Sequence, residues 1–252
     1  MKKYQILAAL LLSGLAFYSC KDPVETGIDF DMTFTANFDG QQLEVDKIYP
    51  LGTLPINFQR FRLYMSDITL LRGTEEIRIS EVEYLDFTPS SSATNLSVTP
   101  KIVFKNVPEG SYDGIRIGYG VKPELNAKRP SDFPAGTPLA IEDDYWLGWK
   151  SYIFMVLDGR GDSDNDSNMD FGFSYHCGSD PVYREFTYQQ HIHVEKDHPG
   201  LQIAFDVRRF LLNDDNSPYD ILANRATSNE VSDTRVAEEI MGRFDSVVTM
   251  KQ

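Results

Sequence analysis

The 252 residues contain two cysteines, Cys20 and Cys177, and four histidines, none of them in the first 175 positions. With one cysteine committed elsewhere, as argued below, no disulfide scaffold is possible and packing must hold the fold. Positive charge is also in short supply. Lys and Arg total 24 against 38 Asp and Glu, a net charge of −14. Affinity for phosphate backbones needs clustered cations, so nucleic acid is excluded as a partner. No G-x-S-x-G, H-E-x-x-H or phosphate-cradling glycine loop occurs, so no enzyme is expected. Asp143 and Asp144 form the nearest thing to a catalytic carboxylate pair, but adjacent acids are common in so acidic a chain.

The N-terminus has the layout of an export signal. Lys2 and Lys3 precede an apolar run from Ile6 to Tyr18, which is too short for a comfortable transmembrane helix. Ala16-Phe17-Tyr18-Ser19-Cys20 resembles a bacterial lipobox, in which the cysteine is lipidated and becomes the new N-terminus. Residues 1–19 are therefore expected to be removed, with residues 20–28 serving as lipid anchor and tether. Lys21 stands where an inner-membrane retention Asp would stand, which favours an outer-membrane lipoprotein. Loss of Lys2 and Lys3 leaves 22 basic against 38 acidic residues, or −16. The lipid, rather than surface charge, is the expected link to the membrane.

What is abundant is alternation. Phe30, Met32, Phe34, Ala36 and Phe38 are separated by polar residues, the period of a half-buried strand. Asp39-Gly40 supplies a hairpin turn. Further strands are expected over 58–71, 77–79, 82–87, 101–107, 112–121, 151–157, 171–177, 187–194 and 201–207. Such spacing with hardly a helical pattern predicts an all-β domain over 29–212, an antiparallel β-sandwich or barrel. Residues 122–145 form a long Pro-rich loop. Residues 213–230 are expected as a polar linker. Val236, Ile240, Phe244 and Val247 then predict a short C-terminal amphipathic helix behind Asp233.

Several segments occur in a characteristic order. They are Phe61–Ile68, Tyr84–Phe87, Val107–Val121 (VPEGSYDGIRIGYGV), Trp146–Phe154 (WLGWKSYIF) and Phe173–Ser179 (FSYHCGS). Together they resemble the MbnP-like family, copper-associated proteins of bacterial envelopes named for a methanobactin-linked member. The likeness covers roughly residues 30–212. It implies a β-rich domain and, in some members, a copper(I) site. That site combines histidines with a tryptophan oxidised to kynurenine by a partner diheme enzyme. No Trp-x-His triplet is present, so the oxidised tryptophan maps onto no residue of this chain.

All four histidines lie between Tyr175 and His198. His191 and His193, two apart on one expected strand, leave the same face, either as two ligands of one metal or as a solvated pair. His176 is the natural third copper candidate, and a turn is expected to hold His198 apart. Cys177 alternates with Phe171, Phe173 and Tyr175, which places it in the core. Trp146 and Trp149 either flank a copper or a sugar, or fill the core. Asp162, Asp164, Asp166 and Asn168, followed by Asp170, resemble the first part of a calcium loop, but Ser167 replaces its glycine and Phe173 its terminal Glu. That segment is either a weak calcium site or an acidic turn. The expectation is a non-catalytic, lipid-anchored envelope protein that binds metal, copper first, with a redox or metal-delivery protein as partner. The alternative is a surface adhesion module with a structural calcium that recognises glycan or protein.

Overall fold

Alternation becomes burial in β1 (Ile28–Phe38), where Phe30, Met32, Phe34, Ala36 and Phe38 are all buried. The structure is a computed structural model describing residues 27–252 except 91–93, 198, 199, 229 and 231. The expected leader, Cys20, most of the tether and His198 lie outside the described residues. Asp39 (φ 51) and Gly40 (φ 79) turn β1 into β2 (Gln41–Gln42), both in the left-handed region that a two-residue hairpin requires.

The remaining strands are β3 (Tyr49–Leu51), β4 (Leu54–Arg72), β5 (Glu75–Asp86), β6 (Lys101–Val107), β7 (Gly110–Tyr112) and β8 (Gly114–Tyr119). They continue with β9 (Tyr145–Trp146), β10 (Ser151–Gly161), β11 (Phe171–Gly178) and β12 (Arg184–Tyr188). β13 (Ile192–Val194), β14 (Leu201–Asp206) and β15 (Val248–Lys251) complete the set. Helices are few and short among the described residues: α1 (Pro123–Asn126), α2 (Arg235–Met241), α3 (Phe244–Val247) and several 3-10 turns.

Two sheets face each other. The smaller runs β15-β14-β1-β2, with β6 also on β1. The larger is built on the 19-residue β4. Arg62 and Leu63 pair with both β5 and β10, and Met65 to Leu71 pair with both β5 and β8. A residue has one partner per edge, so β10 and β8 lie end to end along one edge of β4, opposite β5. The ladders are antiparallel except one: β1 and β14 run parallel, Met32 beside Leu201. The described residues form open, antiparallel-rich sheets and no closed barrel, which selects the sandwich over the barrel.

Aromatic rings join the layers. Phe61 of β4 stacks on Phe87 at 5.0 Å and meets Phe205 of β14 edge-on at 6.1 Å. The C-terminal segment enters the same core. The expected helix is two short ones separated by Gly242-Arg243, and its N-cap is Thr234 rather than Asp233. Val236, Ile240, Met241, Phe244 and Val247 are buried, as are Tyr219 and Ile221 from the stretch expected to be a linker. β15 then pairs with β14.

Candidate functional site

Ile192 and Val194 are 0% exposed, whereas His191, His193 and Glu195 face outward. His193 lies on β13 and His191 immediately before it, and both are solvent-accessible. The expected single strand over 187–194 is interrupted, with Tyr188 opposite Ile115 but Ile192 opposite Tyr112, a slip of one residue. His193 sits opposite Ser111, whose Oγ lies 3.0 Å from its Nδ1. The Gln252 side chain grips the same residue by its backbone, accepting from His193 N–H and donating to its carbonyl, both at 2.7 Å. The strand is thus fixed while the imidazoles stay in solvent. A hydroxyl on one ring nitrogen orients the other, the usual support of a metal-binding histidine.

His176 lies elsewhere. It pairs with Val156, which is level with Arg62 on β4, whereas the β7–β13 ribbon lies near Arg72, whose guanidinium covers the Tyr112 ring at 5.4 Å. Ten residues of strand separate those levels, roughly 30 Å. The structure does not bring His176 to the pair. Its Nε2 lies 3.1 Å from Asp158 Oδ1, a carboxylate that also accepts from Ser174 Oγ (2.7 Å) and Arg60 Nε (2.7 Å). Burial opposes ionisation of Asp158, but the His176 and Ser174 hydrogen bonds and the Arg60 charge outweigh it and hold the carboxyl below its usual range. An ionised carboxylate only accepts, so Nε2 carries the proton.

Trp146 and Trp149 pack together with ring centroids 5.7 Å apart. They do not fill the core: Trp146 is 38% exposed and the intervening Leu147 is 75% exposed. Trp149 lies over Gly178, where a Cβ would meet its ring at 2.8 Å. Beside them Arg129, Glu142, Asp143, Tyr145 and Leu147 help line a cleft of about 370 Å³. Cys177 is buried on the core face and burial pushes its thiol up, so it offers no ready thiolate.

The acidic loop after β10 draws Asp162, Asp164 and Asp166 together. One ligand oxygen from each lies within 4.8 Å of the others, the only such group of three metal-ligating side chains among the described residues. Buried Asp162 accepts the backbone N–H groups of Asp166 (3.2 Å) and Ser167 (2.8 Å). Asn168 N–H bonds Asp166 Oδ1 at 2.8 Å, and Asp170 turns away to Ser163. Repulsion from Asp166 raises the Asp164 carboxyl above its ordinary value. Oxygen ligands of this kind suit a hard cation.

One ion pair was not foreseen from the sequence. Asp144, 1% exposed, sits under the 122–145 loop with Oδ1 2.7 Å from Arg62 Nη2. The contact is an ion pair between a buried carboxylate and a largely buried guanidinium. Tyr64 anchors the loop above it, its hydroxyl donating to Pro138 O (3.1 Å), as does Tyr152 to Leu139 O (2.6 Å). Asp144 is thus tied to Arg62, not paired with exposed Asp143 for catalysis. Burial raises its carboxyl, outweighing Arg62. A folded pKa above the unfolded one makes this group's contribution fall as pH rises through the interval between them. Urea unfolding should therefore show Asp144→Asn gaining stability relative to wild type as pH rises above about 4, the ordinary range of an unfolded Asp. A difference constant with pH contradicts this account.

The fold defines an open-sheet, antiparallel-rich β protein with short C-terminal helices. The MbnP family's sequence model matches residues 27–232, and the chain belongs to that family. Among solved structures it is similar to MbnP from Methylosinus trichosporium, at 16% identity over 73% of this chain and 76% of that one, with a TM-score of 0.49. No curated protein matches. Among the described residues no helix is long and apolar enough to cross a membrane.

Proposed function

We propose that the protein binds copper at the bacterial cell envelope, without turnover of its own, held to the outer membrane by lipid on Cys20. The observation that carries this reading is two solvent-accessible imidazoles two residues apart, His193 on β13 with its backbone and ring held by Gln252 and Ser111, and His191 just before that strand. Imidazole is a good copper donor, and copper(I) tolerates two ligands. Membership of the MbnP family supports the same metal, because the family's name comes from methanobactin-linked, copper-associated proteins. The donors present fit copper without Cys177. A metal-delivery or redox protein is the natural partner for so open a site. Purified protein beginning at Asp22, which omits the Cys20 thiol, should compete for copper(I) with a chelator of known affinity; failure to do so removes the proposal.

A second reading rests on the Asp162/Asp164/Asp166 convergence and the exposed Trp146–Leu147 tip. It makes the protein a surface module with a structural calcium, recognising glycan or protein through its aromatics. Calcium without copper in the natively purified protein favours this reading.

A further inference from the structure

Three charged side chains share one cleft without a protein partner among the described residues. Of the described arginines, only Arg129 has a guanidinium that meets no carboxylate, main-chain carbonyl or aromatic ring. Glu142 and Asp143 form no ion pair or side-chain hydrogen bond there either. All three line the cleft of about 370 Å³ with Ser131, Tyr145 and Leu147, yet stand out of ion-pairing reach of one another. The walls are fixed. Arg129 N–H donates to Asp132 Oδ2 at 2.9 Å, which sets the turn carrying Arg129 and Ser131. Tyr145 pairs with Tyr152 across β9 and β10, and its half-buried ring meets the Tyr152 ring edge-on at 5.1 Å.

We infer that this cleft binds a neutral sugar unit of a glycan, its ring against Tyr145 and Leu147 and its hydroxyls on Arg129, Glu142 and Asp143. The inference rests on the second reading above, to which it gives a site and a ligand class. A pyranose has an apolar C–H face and a rim of hydroxyls that both donate and accept. The electron-rich face of a braced aromatic ring takes the first. Carboxylates that only accept and a guanidinium that only donates take the second, each planar group spanning two adjacent hydroxyls. A ligand of one charge would satisfy one sign here and leave the other unpaired, whereas hydroxyls satisfy both. The cleft also falls within the ~300–1,000 Å³ range of small-molecule sites. Its walls are set before the ligand arrives, so little ordering opposes binding.

The test uses the protein beginning at Asp22 and neutral oligosaccharides of glucose, mannose, galactose, xylose and N-acetylglucosamine, each titrated to millimolar concentration by calorimetry. At least one should bind saturably. Arg129→Ala and Glu142→Gln should each weaken that binding about tenfold, since each removes hydrogen bonds made by a charged group. Both side chains are exposed, so an unchanged melting temperature should accompany the loss. No binding by any sugar of the panel overturns the inference, while the second reading is then decided by calcium in the natively purified protein. Trp146, which does not line the cleft, separates the two claims further. If a sugar binds and Trp146→Ala weakens it while the two cleft variants keep wild-type affinity, the cleft falls and glycan recognition by the exposed tip stands.

Discussion

Phe244→Ala should destabilise the protein by about 3–5 kcal/mol, the usual cost of emptying a buried phenylalanine site. Phe244 is fully buried in α3, and its ring stacks on Tyr119 at 3.9 Å with planes 10° apart. It also meets Phe210 edge-on at 4.9 Å and Phe205 at 6.4 Å. Those partners come from the larger sheet, the 3-10 turn after β14, and β14 itself, so one ring fastens both sheets to the C-terminal segment. Tyr119 and Phe205 are held by β-sheet backbone, so the space can close only in part. In a chain of this size the loss corresponds to a fall in melting temperature of roughly 6–20 °C. An effect under about 1 kcal/mol would make residues 235–251 an accessory to the domain, contrary to their packing.

His191→Ala and His193→Ala should each weaken copper(I) binding at least ~10–100-fold, since one imidazole is a poor site for a metal that two hold well. Neither side chain is packed in the core, so the unfolding midpoint should barely move. Ser111→Ala should have a smaller effect, because it removes the hydroxyl that orients the His193 ring but no ligand. His176→Ala should leave copper(I) affinity unchanged, since that ring is engaged with Asp158 far along β4. Equal copper binding by wild type and the double histidine variant would leave the family membership standing and remove it as a guide to function.

What was legible in the sequence was whatever depends on neighbours in the chain. Strict alternation from Phe30 to Phe38 marked β1 and its buried face, and the same period separates buried Ile192 and Val194 from solvent-accessible His191 and His193. Pairings between distant segments were not. Placing His176 near the pair depends on sheet order, and end-to-end β10 and β8 along one long strand set them far apart. The parallel β1–β14 ladder and the Arg62–Asp144 ion pair are equally non-local, and Asp144 had no local mark beyond belonging to an acidic run. β15 escaped notice because four residues are too few for a period.

The central claim is that this MbnP-family chain is a lipid-anchored copper protein, and one measurement meets it directly. Intact mass and elemental content of the protein purified from its native envelope should show acyl chains on Cys20, loss of residues 1–19 and one copper per chain. An unlipidated chain carrying calcium and no copper would contradict it.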